Sequence, residues 1–92
     1  LLNQGKYGDA EPLYQRALTI SEEMFGPQHP YVVGSLKNLA DLLKAQGKYD
    51  DAEPLYKRAL TIREEVSGPG HPDVASSLKN LASLLESQVM RY

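Results

Sequence analysis

Apolar residues return along this chain every three to four positions, in blocks separated by glycine and proline. Val32, Val33, Leu36, Leu39, Ala40, Leu42 and Leu43 keep the roughly 3.6-residue period of a helix face, with Lys37, Asp41 and Lys44 opposite. The pattern predicts a helix over 30–46, with Pro30 in the first turn, where its missing N–H costs nothing, and Gly47 as the stop. A second pattern predicts a helix over 51–67 from Ala52, Leu55, Tyr56, Ala59 and Leu60, extended by Ile62 and Val66. Asp50 and Glu53 read as an N-cap and its capping-box partner, Pro54 falls in the first turn, and Gly68-Pro69-Gly70 ends the element. The first kind is named helix A and the second helix B.

The same text is written twice. Gln4 to Tyr7 recurs as Gln46 to Tyr49, Ala10 to Tyr14 as Ala52 to Tyr56, His29-Pro30 as His71-Pro72, and Ser35 to Ala40 as Ser77 to Ala82. Each offset is 42 residues, and about 32 of the 50 overlapping positions are identical. The chain is therefore a repeat array, all α, in the order B (9–25), A (30–46), B (51–67), A (72–88). It forms one domain over 1–92, with repeats at 1–42 and 43–84 and a partial segment at 85–92. Leu1-Leu2 is the stub of a helix A. Ala40 and Ala82 in helix A, and Ala10, Ala17, Ala52 and Ala59 in helix B, are small where helices must approach closely, since overpacking costs about 1–3 kcal/mol.

Asn-Leu-Ala, Gln-Gly-Lys-Tyr-Asp-Asp-Ala-Glu and Tyr-Lys-Arg-Ala-Leu resemble a tetratricopeptide repeat, with Leu39, Ala40, Gly47, Tyr49, Ala52, Tyr56 and Ala59 on signature positions. That repeat usually has a period of about 34 residues. The longer period and the Gly-Pro-x-His-Pro link resemble the repeats of kinesin light chains and related bacterial proteins. The resemblance implies a right-handed superhelix of antiparallel helix pairs whose concave face, lined by helix A, binds peptides or partner proteins. Kinesin light chains take acidic segments carrying an aromatic residue on such a face. Tyr7, Tyr14, Tyr49 and Tyr56 would then pack between helices.

Carried over position by position, the resemblance gives a peptide groove of Lys37, Asn38, Asp41 and Lys44 in one repeat and Lys79, Asn80 and Ser83 in the next. Gly34, Ala45, Ser76, Glu86 and Ser87 flank them. An Asn amide can hydrogen-bond an extended backbone from both its donor and acceptor sides, and a Lys beside it attracts a carboxylate. Against this stand a merely solvated helix face and, for the two Asn, a structural bond between repeats. Asp41 and Glu86 offset three lysines, leaving a local balance of about +1.

Charge and composition narrow the remaining chemistry. Ten Lys and Arg against twelve Asp and Glu give a net charge of −2, which removes the electrostatic case for nucleic acid or an anionic membrane. The chain has no cysteine, so disulfides and thiolate sites are excluded. No apolar run approaches the roughly 18 residues of a membrane span, and no signal-peptide pattern is present. A cytoplasmic location is expected, for a chain that begins Leu-Leu and is read as a piece of a longer or processed protein.

His29 and His71 stand in equivalent linkers, too far apart in a repeat array to share one ion, and each reads as ordering its own turn. Glu22-Glu23 and Glu64-Glu65 point about 100° apart on a helix and read as solvated surface. Nothing assembles a Ser-His-Asp triad or a phosphate loop. The expectation is a non-catalytic interaction module without metal or cofactor.

Solenoids carry terminal repeats with a polar outer face, and none is written here. The first helix B offers Ala10, Leu13, Tyr14, Ala17 and Leu18, and the last helix A offers Leu78, Leu81, Leu85 and Val89. The alternative function is therefore head-to-tail self-association, or a domain swap, through Leu13, Tyr14, Leu18, Leu78, Leu81 and Leu85. The other possibility is that a longer parent chain covers both ends. Val89-Met90-Arg91-Tyr92 replaces the Gly-containing turn, so the last helix is expected to run on.

Overall fold

A computed structural model describes residues 4–90, with side chains from residue 6. Four helices follow one another: α1 (Gln4–Phe25), α2 (Tyr31–Ala45), α3 (Tyr49–Ser67) and α4 (Pro72–Met90). α1 and α3 are the B helices, and α2 and α4 the A helices. Each packs on the next in sequence, so short turns fold the chain into stacked hairpins. The stack measures 37 × 30 × 21 Å.

The turn after α2 shows why the chain reverses there. Gly47 takes φ +80°, its N–H donates to the Lys44 carbonyl, and the Lys48 N–H reaches back to that of Leu43 at 2.8 Å. This is the paired closure of a Schellman motif, which needs a residue without Cβ. Gly26 and Gly68 hold φ +91° and +93° at the ends of α1 and α3.

The seven apolar positions of the helix A pattern in α2 are all buried. All of them except Leu42 form one cluster with Leu18 of α1, Ala52, Tyr56, Ala59 and Ile62 of α3, and Leu84 of α4. α2 is buried all along this face because α1 and α3 flank it.

Several local expectations change. α3 begins at Tyr49, so Pro54 lies inside the helix instead of in its first turn, as its counterpart Pro12 lies inside α1. That start is one residue before the expected Asp50 cap, and the N-cap Lys48 makes no side-chain capping bond. Asp50 falls inside the first turn, and Glu53 spends its carboxylate on Lys57 at 2.8 Å and on the Gln88 amide at 3.4 Å. The capping box does not form, because the Schellman turn already fixes the entry to α3. α4 does run on to Met90. Leu1, Leu2, Arg91 and Tyr92 lie outside the described residues.

Candidate functional site

α2 presents its polar face between α1, α3 and α4. Asn38, Asp41, Leu42 and Ala45 line a depression with Tyr14 of α1. Asp41, Lys44 and Ala45 line the adjoining one with Tyr49 of α3 and Ser87 of α4. Asp41 and Ala45 belong to both, so the two make one shallow groove along α2. Tyr7, Gly8 and Gln46 prolong it past Ala45. Small Ala45 leaves its floor open. Tyr14 and Tyr49 are half-buried aromatic walls, packed against the core.

The charges along this groove are arranged unevenly. Lys37 pairs with Asp41, one helical turn on, at 2.8 Å, with both side chains about half exposed. Asp41 also accepts the hydroxyl of Tyr56. Burial, and then this carboxylate, hold the Tyr56 phenol far above its ordinary titration range. Lys44 reaches across to α4 and donates to the Ser83 hydroxyl at 2.6 Å, tying the two A helices together. Lys79 stands where Lys37 stands one repeat earlier, but its i+4 neighbour is Ser83, not an acid. It is exposed and has no ion-pair partner among the described residues. The Asn38 and Asn80 amides bond to no other described residue either, so no structural bond between repeats claims them. Asn38, Asp41 and Lys44 therefore line the groove, Lys37 sits on Asp41 at its edge, and Ser83 joins through Lys44. Lys79 and Asn80 lie beyond the depressions on α4.

The two outer faces differ from the sequence expectation. Leu13, Ala17, Ile20 and Met24 form the exposed stripe of α1, at 68% for Leu13 and 45% for Ile20. Leu18 is buried against the core, and Tyr14 is half-buried facing α2, so neither belongs to the outer face. On a helix, residue 18 points about 100° away from residue 17, towards the hairpin partner. Ile20 and Met24 were missed, although the period through Leu13 and Ala17 passes through both. On α4, Leu78, Leu85 and Val89 are exposed as expected, while Leu81 is half-buried against the core. Ala82, Leu85, Val89 and Met90 line an open apolar depression there.

The groove and the stacked hairpins carry a recognisable signature. A family model described as tetratricopeptide repeat matches residues 1–65 and again 31–88. The chain belongs to the tetratricopeptide repeat family. Comparison with curated proteins gives no match. Repeats of this family generally mediate protein–protein interaction and are typically non-catalytic, so protein partners are implied for this one. No helix among the described residues is long and apolar enough to cross a membrane.

In this tetratricopeptide repeat chain the two histidines cap helices. His29 Nδ1 accepts the Tyr31 N–H at 3.1 Å, and His71 Nδ1 accepts the Asp73 N–H at 3.1 Å, each at the first turn of an A helix. These donors lack intrahelical partners, which is what a capping side chain supplies. Around His29 the rings of Phe25 and Tyr31 pack within 5.1 and 4.8 Å, centroid to centroid. Around His71 the neighbours are polar: Asp73 lies 3.6 Å away and receives Arg63 at 3.5 Å. Among the described residues no three His, Cys, Asp or Glu side chains gather to hold a metal. One acidic residue departs from its solvated reading: Glu22 is half-buried and paired with Arg58 at 2.5 Å.

Proposed function

We propose that the α2–α4 face binds an extended, acidic segment of a partner protein, as in tetratricopeptide repeats of the kinesin light chain type. The observation that carries this reading is the groove along α2, open at Ala45, walled by Tyr14 and Tyr49 and edged by Asn38, Asp41 and Lys44. The amides of Asn38 and Asn80 have their donors and acceptors available for a peptide backbone. Two ammonium groups, on Lys44 and Lys79, face no acid of their own, so a ligand carboxylate would meet less competition there than at Lys37. Walls of tyrosine favour a ligand that also carries an aromatic residue.

A titration with an acidic peptide containing Trp tests it, read by the ligand's own fluorescence, because the chain has no Trp. Lys79→Glu is expected to weaken binding by about 1–3 kcal/mol, as loss of a charge-assisted contact does. Lys37→Glu is expected to weaken it less, since Asp41 already neutralises that cation. Equal affinity in all three proteins would defeat the groove reading.

The second reading is head-to-tail self-association, favoured by the two exposed apolar stripes on α1 and α4. Such stripes on opposite sides of one molecule make heterologous contacts, which close into rings or run on as filaments. Light scattering behind size exclusion over a wide concentration range tests it. A mass that grows with concentration supports it, and a constant monomer mass defeats it.

A further inference from the structure

The interior of the chain contains the pattern by which its two outer faces could meet. α3 docks on the α1–α2 hairpin. Ala59 and Ile62 of α3 are buried in one cluster with Leu36, Ala40 and Leu43 of α2. At the edge, Arg58 donates to Glu22 of α1 at 2.5 Å and to the Pro27 carbonyl at 3.0 Å. Every one of these residues has an identical counterpart 42 positions away. Ala17 and Ile20 on α1 correspond to Ala59 and Ile62, and both are exposed. Leu78, Ala82 and Leu85 on α4 correspond to Leu36, Ala40 and Leu43, and they too are exposed. Arg16 corresponds to Arg58, and Glu64 and Pro69 to Glu22 and Pro27. The Arg16 and Glu64 side chains are exposed, without a partner among the described residues.

We propose that a second copy of this chain docks its α1 on the α3–α4 hairpin of the first, in the register in which α3 docks on α1–α2. Arg16 of the second copy then takes Glu64 and the Pro69 carbonyl of the first. This rests on the self-association reading above and adds its geometry. The complementarity is in both shape and charge: the α1 stripe around small Ala17 meets the α4 stripe of Leu78, Ala82 and Leu85, and an unpaired cation meets an unpaired acid. A face-to-same-face dimer would set α1 on α1, a pairing that the chain's interior does not contain. The docking is heterologous, so each bound copy offers the next the same hairpin. Two features are mismatched. The start of α1, from Gln4, and the end of α4, to Met90, meet where the interior has the Gly47 turn, so these ends must part on docking. One polar contact also changes. Lys44 bonds Ser83 inside the chain, whereas the same register sets Glu86 opposite Asp41 of the second copy.

Sedimentation velocity on two single-face variants tests the proposal. Ile20→Glu spoils the face on α1 and Leu78→Glu the face on α4. Both positions are about half exposed, so the fold is expected to survive, with far-ultraviolet circular dichroism as the check. The unsubstituted chain is expected to gain mass with concentration, each variant alone to stay monomeric, and their mixture to form a 1:1 pair that grows no further. Growth of either variant alone would overturn head-to-tail docking. Arg16→Glu added to the Leu78→Glu chain is expected to weaken the pair about tenfold. Glu64→Arg in the Ile20→Glu chain is expected to restore most of that loss. A pair indifferent to both charge changes would overturn the register and leave self-association standing. Monomers in every sample would overturn both.

Discussion

Ser35 to Ala40 and Ser77 to Ala82 are the same six residues, Ser-Leu-Lys-Asn-Leu-Ala, on equivalent turns of α2 and α4. Their surroundings are not the same. Leu36 is fully buried and Leu78 is 50% exposed. Ala40 is buried and Ala82 is exposed. Ser35 is half-buried against Ser21 of α1, and Ser77 is buried. α2 lies between two B helices, whereas α4 has α3 on one side only. The difference teaches that a repeat states which face of each helix is apolar, while the neighbours decide which apolar faces become core.

Truncating the same leucine in both copies separates the two environments. Leu36→Ala is expected to cost about 2–5 kcal/mol in urea unfolding, because it leaves a cavity between three helices. Leu78→Ala is expected to change stability by no more than about 0.5 kcal/mol in dilute protein, as an exposed substitution does. Equal losses would mean that α4 is covered in solution. At the next level stand two tyrosines. Tyr56→Phe removes a buried hydroxyl bonded to the Asp41 carboxylate and is expected to cost about 1.5–3 kcal/mol. Tyr14→Phe, whose hydroxyl bonds to no other described residue, is expected to cost much less.

The two histidine turns differ by less. His71→Ala removes one cap and is expected to cost about 0.5–1 kcal/mol. His29→Ala is expected to cost about 0.5 kcal/mol more, since it also breaks ring contacts with Phe25 and Tyr31. Thermal melts of the two variants side by side check the order. The smallest effect is acid sensitivity. Lys48 and then Gln46 hold the Glu11 carboxyl below its ordinary value of 4.5, and Lys57 does the same for Glu53. A depressed carboxylate stabilises the fold above the unfolded value and stops doing so as pH falls through the folded one. Stability is therefore expected to be flat with respect to these two groups from neutrality to about pH 5, then to decline. Glu11→Gln with Glu53→Gln should shallow that decline, as read by denaturant midpoints across pH.

Much of the fold is legible in the sequence. The helix order, the glycine stops, the buried stripe of α2 and the run-on of α4 all follow from period and turn chemistry. Part of the groove is legible too: Asn38, Asp41 and Lys44 stand on the polar face of α2. Its aromatic walls are not. The sequence places Tyr14 both between helices and on the outer face, and Tyr49 only between helices, because a stripe on one helix does not say which neighbour it meets. The sharing of Asp41 between Lys37 and Tyr56 is equally invisible, since one partner lies four residues away and the other fifteen. The expected capping box failed for a local reason: the Gly47 turn closes on Leu43 and Lys44 before Asp50 is reached.

A two-fold helical repeat with helices of alternating type follows from the sequence alone, because side-chain periodicity and glycine stops act within a few residues. Tertiary packing sets which copy of each residue is covered. It buried Leu18 and exposed Ile20, neutralised Lys37 and left Lys79 unpaired. Burial and ion pairing depend on what stands opposite, and the chain places different neighbours opposite identical residues.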